Sequence, residues 1–214
     1  MRPRVGVCDY GVGNLRSVER ALRVAGAEPV VSGDPNVIVA CDGVVLPGVG
    51  AFSVAAAVLR DTGLGAAVRE LAQVARPVLG VCLGHQLLFE GSDEGHGGEG
   101  LALLRGHVVK LSTDGGLKVP HVGWNTITTV RASTLLDGIP SGSFMYFVHS
   151  YVAVPEPADV VAVAGYGAEL AVAVQRDAVM GTQFHPEKSG ASGLRIYANF
   201  VSLCAVRVPA QRAG

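Results

Sequence analysis

Residues 77–90 read Pro77-Val78-Leu79-Gly80-Val81-Cys82-Leu83-Gly84-His85-Gln86-Leu87-Leu88-Phe89-Glu90 and carry the strongest structural signal in this chain. The apolar run after the proline is typical of a buried strand. The residues after Gly84 suit a helix that continues through Glu90. A strand, a cysteine between two glycines and a helix form the pattern of a nucleophile elbow, with cysteine where hydrolases carry serine.

Cys82 has two competing interpretations. Glycines permit the sharp turn of an elbow, and a helix N-terminus after the turn stabilises negative charge, so Cys82 could be a catalytic nucleophile. Cysteine is also among the most buried residue types, so a plain core cysteine explains the same position. The stretch alone favours neither interpretation.

The composition is that of a globular protein with one core. Of the 214 residues, 49% are hydrophobic and 16% are charged, and the net charge of -1 gives no long-range attraction to nucleic acid or anionic membranes. No apolar run reaches the length of a membrane span, and we expect no signal peptide. Because Cys8, Cys41, Cys82 and Cys204 lack paired spacing, we expect a reducing, cytoplasmic compartment.

The order of predicted elements indicates an α/β fold with a single domain over residues 1–205. Strands and helices alternate through the first half of the chain, which predicts a mostly parallel sheet with helices on both faces, as in flavodoxin-like folds. A tight loop over Pro47–Gly50 is expected after the third strand. Residues 91–100 are rich in glycine and acidic residues, which indicates a surface loop.

The C-terminal half is expected to add antiparallel strands to this sheet or to a side sheet. One of these shorter strands is predicted over residues 144–154. A last helix is expected over residues 192–204. Residues 206–214 lack a packing pattern, and we predict a frayed, disordered tail there.

His185 is the best candidate for the base that a cysteine nucleophile requires. It lies in the run Gln183-Phe184-His185-Pro186-Glu187, and the residue before a proline is biased toward extended backbone. Residues two apart on an extended segment face the same way, so Glu187 could orient the imidazole. A strand-end histidine beside a solvated glutamate is the alternative. The elbow and this run occurring together favour the catalytic interpretation.

The loop Pro47-Gly48-Val49-Gly50 could supply a donor for a tetrahedral oxyanion. It follows a buried strand, so it should lie at the same sheet edge as Cys82, and the N–H of Leu83 could be a second donor. An ordinary strand-to-helix turn is the better interpretation of this loop taken alone.

Other patterns are poor matches to ligand-binding motifs. The run Gly11-Val12-Gly13 lacks the third small residue of a dinucleotide-binding loop, because Arg16 stands there. The run over Gly95–Gly100 lacks the ending of a P-loop. No group of side chains has the spacing of metal ligands, so we expect neither a metal nor a cofactor.

Taken together, these motifs resemble those of the class I (triad) glutamine amidotransferases, through Gly80–Gln86 and Gln183–Glu187. Further stretches are similar to the glutaminase subunits of imidazole glycerol phosphate synthases: Asp9–Leu15, Lys118 with Pro120–Asn125, Tyr146–Tyr151 and His185–Gly190. The resemblance covers residues 4 to 204. His85 departs from it, because those subunits more often have methionine there.

The resemblance implies a glutaminase that releases ammonia and glutamate through a cysteinyl thioester. Cys82 would be the nucleophile, His185 the base and Glu187 the group that orients it, while Val49 and Leu83 would supply oxyanion N–H groups. By similarity, the glutamine would be held by Gly48, Gly50, Gln86, His149, Ser150 and Tyr151.

The resemblance also implies a partner. In this family a (β/α)8 synthase subunit receives the ammonia and makes imidazole glycerol phosphate and aminoimidazole carboxamide ribotide, in histidine biosynthesis. The glutaminase is typically poorly active until that subunit binds its ligand. The candidate contact residues are Asn14, Lys118, Trp124 and Tyr146. Core aromatics, a helix cap and a solvated charge are their alternative interpretations.

Two other functions remain open from the sequence. The chain could be the glutaminase subunit of another glutamine-dependent biosynthetic complex, against which the stretches Pro120–Asn125 and Tyr146–Tyr151 argue. It could also be a catalytically silent regulatory module, against which the complete set of Cys82, His185 and Glu187 argues.

Overall fold

The computed structural model describes residues 1–95, 97–113 and 116–206. In the first half, strands and helices alternate as predicted. The elements are β1 (Arg4–Cys8), α1 (Leu15–Val24), β2 (Glu28–Ser32), α2 (Pro35–Val39), β3 (Gly43–Gly48), α3 (Phe52–Asp61), α4 (Leu64–Gln73), β4 (Val78–Cys82) and α5 (Leu83–Gln86).

The second half consists mainly of strands. They are β5 (Gly91–Ser92), β6 (Gly98–Glu99), β7 (Gly106–Lys110), β8 (His121–Thr126), β9 (Thr128–Thr129), β10 (Phe144–His149), β11 (Tyr151–Pro155), β12 (Val160–Tyr166), β13 (Ala168–Arg176) and β14 (Val179–Thr182). The last described helix is α6 (Gly190–Ala205), and short 3-10 turns lie at Pro157–Asp159 and Pro186–Lys188.

The main sheet has eight strands in the order β2-β1-β3-β4-β14-β13-β12-β9. The first five are parallel and the last three are joined by antiparallel pairs. β4 is in the middle of the parallel part, between β3 and β14. The C-terminal ends of these three strands meet at one edge, where α/β sheets bind ligands.

Both faces of the sheet are covered, so the predicted α/β class is confirmed. α1 and α6 bury residues such as Leu22 and Phe200 on one face, and α2, α3 and α4 bury residues such as Ile38 and Leu59 on the other. A four-stranded side sheet in the order β11-β7-β5-β6 extends the second layer, and β8 and β10 form a separate pair. No helix of the described ranges is long and apolar enough to cross a membrane.

The helix after Cys82 is shorter than predicted. It ends at Gln86 instead of continuing through Glu90. The backbone of Leu101 and Leu103 donates to the carbonyls of Leu87 and Leu88 at 2.8 and 2.9 Å, and these bonds replace the helical ones. The apolar residues after Gln86 are buried under that returning segment.

The interpretation of residues 91–100 as a surface loop is wrong in part. Gly91 and Ser92 are buried in β5, which pairs with both β6 and β7. Glycine permits this burial, because a Cβ at Gly91 would lie 2.8 Å from the carbonyl oxygen of Gly98. His96 lies outside the described residues.

Two predicted boundaries are also wrong. The strand over 144–154 is broken at Ser150 into β10, which pairs with β8, and β11, which pairs with β7. Pro47 and Gly48 belong to β3 instead of a loop. Proline is tolerated there because β1 no longer pairs with β3 beyond Val45, so no partner strand needs its missing N–H on that side.

The sequence interpretation also omitted α2, a short helix. Asp34 accepts from the N–H of Asn36 at 2.9 Å, and Pro35 occupies the first turn, both of which favour a helix start. The predicted tail over 206–214 lies outside the described residues apart from the exposed Val206.

Candidate active site

Cys82 ends β4 in a backbone conformation that non-glycine residues rarely adopt. Its φ is 55° and its ψ is -109°. Positive φ costs free energy in an L-residue and persists only where the surroundings hold it, often at functional sites. The predicted elbow is therefore present, with a helix of a single turn.

Gly80 and Gly84 permit this elbow because its backbone is packed against other backbone. A Cβ at Gly80 would lie 2.6 Å from the carbonyl oxygen of Gly84, and a Cβ at Gly84 would overlap the carbonyl of Leu46 in β3. Backbone atoms cannot rotate away as a flexible side chain can. The two contacts hold Cys82 at the C-terminal edge of the sheet.

His185 lies just past β14, the strand that pairs with β4. Its N–H donates to the carbonyl of Tyr146 at 2.9 Å, and its own carbonyl accepts from the hydroxyl of Ser189 at 2.6 Å. Its Nδ1 lies 2.7 Å from Oε1 of Glu187, and the two side chains are only 3% and 2% exposed. The imidazole and the carboxylate thus form a buried pair.

The contact between His185 and Glu187 was expected, and His185 itself is extended, as predicted for a residue before proline (φ -99°, ψ 98°), but the extended segment does not continue past it. Pro186–Lys188 form a 3-10 turn. Proline favours the first position of such a turn, and the turn brings the carboxylate back to the imidazole.

Cys82 and His185 interact electrostatically. Burial would lower the pKa of His185, but hydrogen bonding and charge from Cys82 and Glu187 together outweigh it and raise this pKa to about 9. By distance and angle, Nε2 has no hydrogen-bond partner among the described residues, so the thiol and the imidazole interact without a well-aligned hydrogen bond. The thiol itself donates to the carbonyl of Val148 at 3.8 Å.

A cavity of about 310 Å³ opens beside Cys82. Most of the residues expected to bind substrate or oxyanion line it together, namely Val49, Gly50, Leu83, Gln86, His149, Ser150 and Tyr151. Gly48 does not line it, because it lies within β3 opposite Cys82. His185 and Glu187 are not part of the lining either.

The side-chain amide of Gln86 is bound to the protein itself. Its Nε2 donates to the carbonyl of Tyr151 at 2.8 Å and to Oε1 of Gln183 at 3.1 Å, so only its oxygen remains for a ligand. Gln183 in turn donates to Sγ of Cys82 at 3.9 Å. The sequence interpretation gave Gln183 no role, although a polar residue just past a buried strand was the available signal.

Two histidines form a directional chain behind the cavity. Nδ1 of His149 donates to the carbonyl of Tyr151 at 2.9 Å, because a carbonyl oxygen can only accept. Nε2 of His149 therefore accepts a hydrogen bond from Nδ1 of His121 at 3.0 Å. Nε2 of His121 in turn accepts from the side-chain amide of Asn125 at 3.4 Å. This order requires both rings to be neutral. Burial lowers the pKa of His121, and it lowers that of His149 to about 4 despite the bond to Tyr151.

Glu94 also lines the cavity and was missed by the sequence interpretation. Its Oε2 accepts from the N–H of Phe52 at 2.7 Å, which caps α3, and its own N–H donates to the hydroxyl of Ser92 at 3.1 Å. One carboxylate oxygen is thus anchored, and the other has no hydrogen bond within the described residues. The only sequence signal for Glu94 was the acidic character of residues 91–100. No pattern in the neighbouring residues predicts that this segment lies near Cys82.

The four expected partner-contact residues are not core residues. Trp124 is 56% exposed and Tyr146 is half-buried; they pair across β8 and β10 with ring centroids 5.9 Å apart. The core interpretation is therefore wrong for Trp124.

The two polar residues of this set are also at the surface. Asn14 accepts from the N–H of Ser17 at 3.4 Å and caps α1, as its alternative interpretation predicted, while remaining exposed. Lys118 is exposed, and its carbonyl accepts from Tyr166 at 2.6 Å.

Trp124 belongs to a larger apolar surface, which we call the β8–β10 face. It consists of the outward-pointing residues of the two strands: Val122, Trp124, Phe144, Tyr146 and Val148. Val122 is 56% exposed and Phe144 is 61% exposed. Contiguous exposed apolar side chains of this kind mark interaction surfaces.

His85 is buried next to the site without contributing to it. Neither ring nitrogen has a hydrogen-bond partner in the part of the chain that the structure describes. The ring contacts Phe89 edge-on and lies against Gly181 in β14. Burial, with a smaller effect of His149, lowers its pKa to about 3, so the imidazole is neutral at physiological pH.

Replacing His85 by methionine is expected to stabilise the fold by about 1–2 kcal/mol at pH 7, because it removes two unpaired buried nitrogens. Between pH 6.5 and the lowered pKa values of His85 and His149, the unfolded chain binds protons that the folded chain does not. Unfolding free energy therefore falls with falling pH, by about 1.4 kcal/mol per pH unit for each histidine. His85→Met should remove one of these contributions.

Urea unfolding of the wild type and His85→Met at pH 7, 6 and 5 measures the unfolding free energy and its pH dependence. Leu88→Met provides the control, because Leu88 is buried in the same segment, also lies against Gly181 and has no titratable group, so the pH slope should not change. Equal or lower stability of His85→Met at every pH would contradict the prediction.

The described residues contain no group of three or more His, Cys, Asp or Glu side chains that could hold a metal ion. The site combines a thiol, two imidazoles, two carboxylates and the side-chain amide of Gln86 with backbone groups at the C-terminal edge of the sheet. Such a set supports nucleophilic attack by sulfur with proton transfer through the imidazole.

Solved structures share this fold. A glutamine amidotransferase superposes with a TM-score of 0.74 at 21% identity, covering 94% of this chain and 99% of that one. PurLQS from Thermotoga maritima gives a TM-score of 0.75 at 20% identity, with coverage of 94% and 99%. At this identity the likeness shows the architecture alone.

Sequence comparison is more specific. The family model "Glutamine amidotransferase class-I" matches residues 6–203. The chain is 48% identical over 203 residues to imidazole glycerol phosphate synthase subunit HisH of Methanosarcina mazei, covering 94% of this chain and 99% of that protein. It is 50% identical over 204 residues to the subunit of the same name from Moorella thermoacetica, with coverage of 95% and 96%. The chain therefore belongs to the class I glutamine amidotransferases and, within them, to the HisH family.

Proposed function

We propose that this protein is the glutaminase subunit of an imidazole glycerol phosphate synthase, acting in histidine biosynthesis. The observation that carries the proposal is the placement of Cys82, in its strained elbow beside a cavity, at the end of the strand that pairs with β14, just past which lies the buried pair of His185 and Glu187. The identity to HisH proteins over nearly the whole chain supports the subunit and the pathway.

In the proposed reaction, Sγ of Cys82 attacks the side-chain carbonyl carbon of glutamine, and His185 takes up the thiol proton. The C–N bond then breaks, and His185 passes that proton to the departing nitrogen, which leaves as ammonia. Water, deprotonated by His185, hydrolyses the thioester and releases glutamate. In the resting site, Cys82 and Glu187 raise the pKa of His185 against the effect of burial, which favours an imidazolium that keeps the thiol proton until the nitrogen departs.

The oxyanion formed on attack would be bound by the N–H groups of Val49 and Leu83, which both line the cavity with Cys82. Pro47 and Gly48 pair with β4, so any rearrangement on activation is confined to Val49 and Gly50. Gly50 has a φ of 107°, which leaves this peptide free to turn without a Cβ penalty.

The free oxygen of Glu94 is suited to the α-ammonium group of glutamine. Oε2 of Glu94 is anchored on α3, so Oε1 is held at the cavity. The side-chain oxygen of Gln86 is a second acceptor on the same wall. Backbone groups of Ser150 and Tyr151 would hold the remainder of the substrate.

The proposed partner is a (β/α)8 synthase subunit that receives the ammonia. Ammonia released into water is largely protonated and loses its nucleophilicity, so an active site of this kind needs a covered exit. The β8–β10 face is apolar and exposed, and it continues to Val148, which lines the cavity. Lys188 lies over the ring of Tyr146 at 5.7 Å and adds a cation to this surface.

Trp124→Ala is expected to leave the isolated subunit folded, within about 0.5 kcal/mol, because the side chain is mostly exposed. It should weaken binding of the synthase subunit by about 30-fold or more, as loss of a central aromatic contact does. Calorimetric titration and thermal unfolding measure the two effects. Val24→Ala, which removes a side chain that is 66% exposed at the end of α1, is the control. Unfolding of Trp124→Ala, or unchanged affinity, would contradict the assignment.

A glutaminase assay with and without the purified synthase subunit and its nucleotide ligand tests the whole proposal. We expect low activity alone and strong activation by the liganded partner. Activation by the catalytic subunit of a different glutamine-dependent enzyme would instead assign the chain to another complex. Failure of a glutamine-analogue electrophile to label Cys82 would indicate a silent module.

We further propose that the complex acts in the cytoplasm, where thiols remain reduced.

A further inference from the structure

A buried phenol lies close to Glu187 and has no role in the reaction described above. Tyr197, in α6, is 0% exposed. Neither its hydroxyl nor Oε2 of Glu187 has a partner in hydrogen-bonding geometry anywhere in residues 1–95, 97–113 and 116–206. Unpaired buried polar atoms are uncommon in folded proteins, and here a donor and an acceptor occur together.

The packing of α6 directs Tyr197 toward the turn that carries Glu187. A Cβ at Gly193 would overlap the carbonyl of Pro186, so this face of α6 lies directly on the turn. Tyr197 is one helical turn beyond Gly193 on the same face, and helical side chains lean toward the helix N-terminus. Its ring therefore points back at the 186–188 turn.

The electrostatics agree with this placement. Burial raises the pKa of Tyr197 well above its usual value, and the charge and hydrogen bonding of Glu187 raise it further. The phenol therefore remains protonated and can donate. Cys82 and Glu187 are the titratable groups that raise the pKa of the neighbouring His185. The charge of His185 in turn contributes to lowering the pKa of His149.

We propose that Tyr197 is a positioning residue whose hydroxyl donates to Oε2 of Glu187, so that Oε1 stays aligned with Nδ1 of His185. Both atoms lack another partner within the part of the chain that the structure describes, and rotation of the phenol and the carboxyl group would close the bond. A carboxylate held at both oxygens cannot rotate away when the imidazole gains or loses its proton. This inference rests on the proposed catalytic roles of His185 and Glu187.

Tyr197→Phe removes only the hydroxyl and tests the proposal. In the complex with its liganded synthase subunit, we expect kcat for glutamine hydrolysis to fall about three- to tenfold with KM unchanged, because Tyr197 does not touch the cavity. By NMR titration, the pKa of His185 should fall by roughly half a unit, because a mobile carboxylate stabilises the imidazolium less.

Phe200→Leu is the matched control, because Phe200 is buried in the same helix and has no polar group. It should lower the unfolding midpoint while leaving kcat and the His185 pKa unchanged. A wild-type kcat and His185 pKa in Tyr197→Phe, or an equal loss of kcat in Phe200→Leu, would overturn the proposal. The His185 titration needs no turnover, so it still decides the inference if the wild-type protein fails to hydrolyse glutamine.

Discussion

Cys82→Ser is expected to reduce glutamine-dependent turnover of the synthase complex by at least about a thousandfold. The serine hydroxyl is a far weaker nucleophile than the thiol at this site, and the rest of the elbow is unchanged. The reaction supplied with ammonium salt should keep its rate, because it bypasses the thioester. Steady-state assays with glutamine and with ammonium, on the same enzyme preparation, measure the two rates.

Cys41→Ser is the matched control for this experiment. Cys41 is also buried, and its thiol donates to the carbonyl of Val37 at 3.3 Å, a bond that serine can keep. We expect both nitrogen sources to support normal rates in this variant. Equal loss of the two activities in Cys82→Ser would show that the substitution damages the complex and would remove the support for a nucleophilic role.

The parts of the site that could be predicted from sequence are those encoded over a few consecutive residues. Gly80 and Gly84 flank Cys82, and the elbow follows from their spacing. His185 and Glu187 are likewise local to each other. The α/β class followed from the alternation of strands and helices, which depends on the period of apolar residues and not on distant contacts.

The parts that could not be predicted depend on where distant segments meet. Glu94 reaches the cavity only because β5 and β6 join a side sheet, so its own segment looks like an ordinary polar loop. His121 and His149 become a hydrogen-bonded pair through the pairing of β8 with β10. The helix after Cys82 ends early because a returning segment takes its carbonyls, which no local pattern encodes.

Gly84→Ala is the substitution expected to have the largest effect on the fold at the site. The added Cβ would overlap the carbonyl of Leu46, and neither the elbow nor β3 can relieve the clash by rotating a side chain. The unfolding free energy should fall by about 3 kcal/mol, at the upper end for overpacking. In protein that remains folded, α5 must shift away from β3, which displaces Cys82 and the N–H of Leu83.

Glutaminase activity of folded Gly84→Ala should therefore fall about a hundredfold or more, because a small misplacement of the reacting groups is sufficient for such a loss. Urea unfolding and activity of the refolded fraction measure the two effects separately. Gly165→Ala is the control: Gly165 is an exposed residue of β12, a Cβ there meets no atom of the described residues within 4 Å, and its φ is not positive. That variant should be as stable and active as the wild type. If Gly84→Ala matched it in both measurements, the close packing of α5 on β3 could not be what holds the nucleophile in place.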